Sequence, residues 1–126
     1  MSKRILVVDD NLDTVTALQQ VLEKAGYAVE VARNGEEGCT KTLSSRPDLI
    51  LLDIMMPIMD GYTMNQKLKE NPETRDIPVI IISARSGMAP VFKAQKGPPI
   101  QGYLVKPVSS KVLLLKIDEV FKGSAA

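Results

Sequence analysis

Three runs of aliphatic residues, unbroken by polar side chains, punctuate the chain: Ile5-Leu6-Val7-Val8, Leu49-Ile50-Leu51-Leu52 and Val79-Ile80-Ile81-Ile82. A strand with one wet face alternates polar and apolar residues, so these runs predict short strands covered on both faces. Between the first two, Val15, Leu18, Leu22 and Ala25 recur at spacings of three and four, the pattern of a helix over Leu12 to Ala25 with one buried face, and Gly26 follows as a stop. Tyr27 to Ala32 alternates, as a more exposed strand at a sheet edge would. Asn34-Gly35 marks a turn, and Glu36 to Leu43 reads as a short helix closed by Ser44, Ser45 and Pro47.

Beyond the central run, Asp60 is placed to cap a helix reaching about Glu70, with Met64 and Leu68 inward and Pro72 ending it. Gly87, Pro90, Gly97 and Pro98-Pro99 leave room only for a short helix near Val91 to Gln95, inside a segment expected to be mobile. Tyr103-Leu104-Val105 is a last short strand. Ser109 or Ser110 then caps a helix to Phe121 with Leu113, Leu114, Ile117 and Phe121 as its core face. One domain over residues 1–122 with a flexible tail at 123–126 accounts for the whole pattern.

Five strands alternating with five helical segments predict an α/β fold, a doubly wound parallel sheet with helices on both faces and right-handed crossovers. Burial at strands one, three and four, and weaker patterns at two and five, suggest the order 2-1-3-4-5. The switch point then lies between strands one and three, where such sheets open a binding crevice at their carboxyl ends. Asp9, Asp10 and Asp53, each following one of these strands, would share it.

Composition narrows the chemistry. At 126 residues, 44% hydrophobic and 25% charged, the chain suits one globular domain, and its net charge of +1 gives no general pull toward nucleic acid or anionic membrane. One cysteine permits no internal disulfide, no apolar run has the length of a membrane span, and Lys3-Arg4 lead straight into a strand rather than a signal-peptide core, so a cytoplasmic location is expected. With no histidine, Ser-His-Asp, Cys-His and the usual zinc sites are excluded. Carboxylate, hydroxyl and amine chemistry remains.

Carboxylates crowded in one crevice repel by about 4 kcal/mol per close pair at an effective dielectric near 20. A hard divalent cation relieves this, and oxygen ligands without histidine or thiolate point to Mg2+. An aspartate beside such an ion is a competent nucleophile toward phosphorus, forming an acyl phosphate. Ser83 and Lys106, at two further strand ends, would offer a hydroxyl and an ammonium to phosphoryl oxygens.

Asp9-Asp10, Asp53 with Met56-Pro57 and Asp60-Gly61, Ser83-Ala84, and Tyr103 with Lys106-Pro107 stand in an order that resembles the receiver domains of two-component response regulators, the chemotaxis regulators among them, over nearly the whole chain. The resemblance implies a flavodoxin-like sandwich in which Asp53 is the phosphoacceptor. Asp9, Asp10, Asp53 and the backbone carbonyl of Met55 would hold Mg2+, Ser83 and Lys106 would bind the phosphoryl group, and Ser83 with Tyr103 would form the switch. It also implies a histidine kinase or phosphotransfer protein as donor, reset by hydrolysis, a regulatory domain rather than an enzyme, and a monomer or weak dimer. The family's usual output surface is its fourth helix, fifth strand and fifth helix. Here that region departs from the pattern through Gly87-Met88-Ala89-Pro90 and Lys96-Gly97-Pro98-Pro99, while Val112 and Leu115 on the last helix suggest an apolar contact with a downstream protein.

Plainer readings stand beside these. Asp60 serves as a helix cap, Ser83 alone reads as a turn residue, Lys106 alone as a solvated lysine, Tyr103 as a packing aromatic, Cys39 as a small buried hydrophobe, and Val112 and Leu115 as scattered surface residues. Two other functions compete: a receiver-like binding module that acts largely without phosphorylation, and an aspartyl phosphatase or mutase. Methionine at position 55, where the phosphatases typically carry a second aspartate, disfavours the last. These residues contain no DNA-binding element.

Overall fold

The computed structural model describes residues 2–95 and 99–124. Strands β1 (Arg4–Val8), β2 (Ala28–Ala32), β3 (Leu49–Leu52), β4 (Val79–Ser83) and β5 (Gly102–Val105) form one parallel sheet in the order β2-β1-β3-β4-β5, as the patterning indicated. Helices α1 (Leu12–Lys24), α2 (Gly35–Ser45), α3 (Gly61–Glu70), α4 (Ala89–Lys93) and α5 (Ser110–Ser124) connect and follow them.

The unbroken aliphatic runs have a simple cause. Ile5, Val7, Leu49, Leu51, Ile80 and Ile82 point to the layer of α1 and α5, where they meet Val15, Leu22, Leu113, Ile117 and Val120. Their neighbours Leu6, Val8, Ile50, Leu52, Val79 and Ile81 point to the other layer, against Met64, Leu68 and Phe92. Alternation survives in direction and vanishes in polarity, because both faces are dry.

Several boundaries differ from expectation. Ala25 caps α1 and is exposed, so the helix's inward face ends at Leu22. Ala32, at the end of the strand expected to be more exposed, is fully buried against α3's layer. α2 runs two residues beyond Leu43 because Arg46, in a left-handed conformation at φ 51°, supplies its end. α4 begins two residues earlier than expected, with Pro90 at its start, where a missing N–H costs nothing. Ser109 rather than Ser110 caps α5 through the Val112 amide, and the helix continues past Phe121 to Ser124, so Gly123 and Ser124 belong to it and not to a tail. Residues 125–126, and the Lys96-Gly97-Pro98 part of the segment expected to be mobile, lie outside the described residues. No helix among the described residues is long and apolar enough to cross a membrane.

Candidate functional site

Strand register brings the acids together. Val8 pairs with Leu52, so the next residue on each strand, Asp9 and Asp53, leave the sheet side by side, and the Asp53 amide still donates to the Val8 carbonyl at 2.9 Å. Asp9 and Asp53 are buried, at 3% and 7% exposure, whereas Asp10 is exposed. One carboxylate oxygen from each of the three lies within 4.8 Å of the others. On the far side, Ser83 pairs with Val105, and the Lys106 amide donates to the Ser83 carbonyl at 2.8 Å, which sets the lysine across the crevice. The Lys106–Pro107 peptide is cis.

Lys106 Nζ stands 2.8 Å from Asp9 Oδ2 and 3.5 Å from Asp53 Oδ2. One ammonium against three carboxylates leaves the pocket strongly anionic. Burial, and then the charge of Asp9, push the Asp53 carboxyl above its usual range, while Lys106, the Met55 amide and the Ser83 hydroxyl pull it back only in part. For Lys106, burial works to lower the pKa, but the hydrogen bond and charge of Asp9 and the charge of Asp53 outweigh it and raise the value. The remaining acceptors are partly satisfied: Asp9 Oδ1 takes the Asn11 amide at 2.9 Å and Asp53 Oδ1 the Met55 amide at 3.4 Å. These donors, all hard oxygens with no histidine or thiol among them, suit Mg2+.

The loop from Asp53 to α3 is held closed rather than loose. The Gly61 amide donates to the Ile54 carbonyl at 2.9 Å, and a Cβ at Gly61 would lie 2.1 Å from the Asp53 carbonyl oxygen. Glycine is thus required here for room. The unusual backbone angle falls instead on Ile58, at φ 68°, a region that β-branched residues seldom enter. Asp60 caps α3 through the Thr63 amide at 2.7 Å, the plain role foreseen for it, while also facing the cleft.

Ser83 is fully buried, and its hydroxyl accepts the Arg85 amide at 3.2 Å. The half-buried Tyr103 donates its phenol to the Arg85 carbonyl. Arg85 therefore joins Ser83 and Tyr103 through its own backbone, and its side chain lines the cleft beside Asp10, Met55, Met56, Asp60 and Met88. Sequence reasoning missed this arginine, although a cation two residues past Ser83 was its available signal. It also missed Phe92, buried in α4 with its ring 6.2 Å from that of Tyr103 and 5.7 Å from that of Tyr62. Burial pushes the Tyr103 phenol upward, with Arg85 opposing and Asp53 adding to the shift. Met55 presents an exposed side chain at the rim.

Other expected residues lie elsewhere. Val112 and Leu115 are exposed on α5, at 50% and 60%, away from the carboxylates. Cys39 packs against the α3 layer, and burial raises its thiol pKa while Lys67, a neighbour that the spacing did not reveal, lowers it.

The model of the response regulator receiver domain matches residues 5–118. The response regulator PleD of Caulobacter vibrioides is 40% identical over 93% of this chain, but the chain spans only 26% of PleD's length. The protein PilH of Pseudomonas aeruginosa is 36% identical, with 95% of this chain and 98% of PilH covered. Among solved structures, the receiver domain of a sensor histidine kinase from Pseudomonas aeruginosa PAO1, with a magnesium ion coordinated in its active site cleft, superposes with a TM-score of 0.84 at 25% identity, covering 94% of this chain and 97% of that one.

Proposed function

This chain belongs to the response regulator receiver family of two-component systems, and from that premise we propose that it is a switch thrown by phosphorylation of Asp53. The observation that carries the proposal is the convergence of Asp9, Asp10 and Asp53 opposite Lys106, because an acidic pocket this tight has a standing electrostatic conflict that a bound cation and a phosphoryl group would resolve.

In this reading Asp9, Asp10, Asp53 and the Met55 carbonyl would hold Mg2+. The ion, when bound, offsets the negative charge of carboxylates and phosphoryl group alike. An Asp53 carboxylate oxygen attacks the phosphorus of a phosphohistidine on a histidine kinase or phosphotransfer protein, the phosphorus–nitrogen bond breaks, the imidazole leaves, and water later cleaves the acyl phosphate. Lys106 pairs with the phosphoryl oxygens in place of the carboxylates, and the Ser83 hydroxyl donates to one of them. Because the Arg85 amide donates to the Ser83 hydroxyl and the Tyr103 phenol donates to the Arg85 carbonyl, a movement of Ser83 toward the phosphoryl group would pass through Arg85 to Tyr103. The domain then acts on a downstream protein, through α5 at Val112 and Leu115, as a monomer or weak dimer in the cytoplasm.

A small phosphodonor with Mg2+ should add one phosphoryl mass to the protein and none to Asp53→Ala; equal labelling of that variant overturns the assignment. Mg2+ at about ten times its dissociation constant should add about 1.4 kcal/mol of stability, read as a raised melting temperature. A receiver-like module that binds its partner unphosphorylated has one observation in its favour, the five-residue α4 in the region that usually carries the output. It predicts partner binding that is unchanged in Asp53→Ala.

A further inference from the structure

The loop that carries Asp53 into α3 is pinned from a direction that the phosphorylation chemistry does not explain. At its tip, the Met59 carbonyl accepts the amide of Gly35, the first residue of α2, at 2.9 Å. A Cβ at Gly35 would lie 2.6 Å from that carbonyl oxygen and 2.8 Å from Met59 Cγ, so the two backbones meet only because residue 35 has no side chain. Ile58, next to the pinned carbonyl, holds its left-handed φ of 68° while 77% exposed, with no apolar burial of its own to account for it. α2's first turn is in turn fastened by Asn34, whose side chain accepts the Glu37 amide at 2.8 Å.

The amide of a helix's first residue has no partner within its own helix. Here it fastens the far end of a loop whose near end supplies the Met55 amide to Asp53 and is closed by the Gly61–Ile54 bond. We infer that Gly35 is a positioning residue for the phosphoacceptor loop: by fixing Met59 it sets the backbone about Asp53 and Met55, and with it the affinity for Mg2+ and the rate of phosphorylation. This rests on the receiver reading above. Residues that orient a metal's ligands without touching the ion commonly govern affinity by about ten- to a hundredfold.

The test compares Gly35→Ala with Gly38→Ala on the full chain. A Cβ at Gly38 meets the end of the Met64 side chain, at 2.7 and 2.8 Å, and Val8 Cγ1 at 3.2 Å, so this control disturbs the packing of α2 on α3 and β1 without touching the loop. Gly35→Ala should bind Mg2+ about tenfold more weakly by calorimetry and take up phosphoryl groups more slowly from a small donor. In metal-free buffer its Met55 and Gly61 amides should exchange faster, while Gly38→Ala keeps wild-type Mg2+ affinity. Should Gly35→Ala not fold, Asn34→Ala frays the same first turn without adding atoms and should weaken Mg2+ by a few-fold. Wild-type affinity and exchange in the loop variant, or equal loss in the control, overturns the inference. Failure of the wild type itself to bind Mg2+ and become phosphorylated overturns the receiver reading instead.

Discussion

Lys69 and Lys106 are both poorly exposed, and their settings could hardly be less alike. At the end of α3, Lys69 is 5% exposed, and its ammonium donates to the Arg75 carbonyl at 3.3 Å, in a turn where Thr74 also donates its hydroxyl to the Leu68 carbonyl at 2.8 Å. Burial lowers its pKa, with Asp76 opposing. At the carboxyl end of the sheet, Lys106 faces Asp9 and Asp53, which raise its pKa against the pull of burial. The α3 turn is a local arrangement of neighbours in sequence. The crevice is a conflict among like charges brought from separate strands, and it is this mutual repulsion, rather than burial of a charged group, that distinguishes the site from the turn.

That contrast is most sharply tested by removing each cation. Lys106→Met leaves Asp9 and Asp53 facing each other without a counter-charge; in Mg2+-free buffer it should cost about 2–3 kcal/mol, less than for a fully buried pair because the lysine is partly exposed. Mg2+ should restore much of the lost melting temperature, and phosphoryl uptake should be slowed. Indifference to Mg2+ would place this crevice in the same class as the α3 turn. Thr74→Val should cost about 1 kcal/mol through its lost hydroxyl bond and leave Mg2+ affinity and labelling untouched, as chemical denaturation alongside calorimetry would reveal. A change in labelling would mean that the two regions are coupled.

The smallest effect concerns pH. Because the folded pKa of Lys69 lies below its unfolded value, the folded protein sheds this proton first, and its stability relative to Lys69→Met should climb as pH rises from the folded pKa toward about 10.4, being lowest below that window. Parallel denaturation curves of the two proteins at pH 7 and pH 10 measure the difference. A gap that widens in favour of the variant at high pH contradicts the assigned shift.

Much of this was legible in the chain. Aliphatic runs that do not alternate name strands dry on both faces, and the sheet order followed from which runs were purest. Asp9, Asp53 and Ser83 could be assigned to strand ends because each directly follows such a run, and Lys106 because it follows the short Tyr103-Leu104-Val105 strand. Other features were hidden. Phe92 sits in a Gly- and Pro-rich stretch with no periodicity to mark it inward, and Arg85, although a cation two residues past Ser83, shows its place only when its backbone is seen between Ser83 and Tyr103. The left-handed angle of the loop after Asp53 belongs to Ile58, and Gly61 is needed because the Asp53 carbonyl comes so close, a contact that no local pattern announces.

The amino-acid order alone determined the alternation of strand and helix, the residue types waiting at strand ends and the absence of histidine, because hydrophobic periodicity and composition are local properties. Distances are not. Only the folded chain decided that the parallel register of β1 and β3 sets Asp9 beside Asp53, that Lys106 reaches both across the sheet, and that an amide of α2 holds the Met59 carbonyl, since each joins residues far apart in sequence through the packing of elements between them.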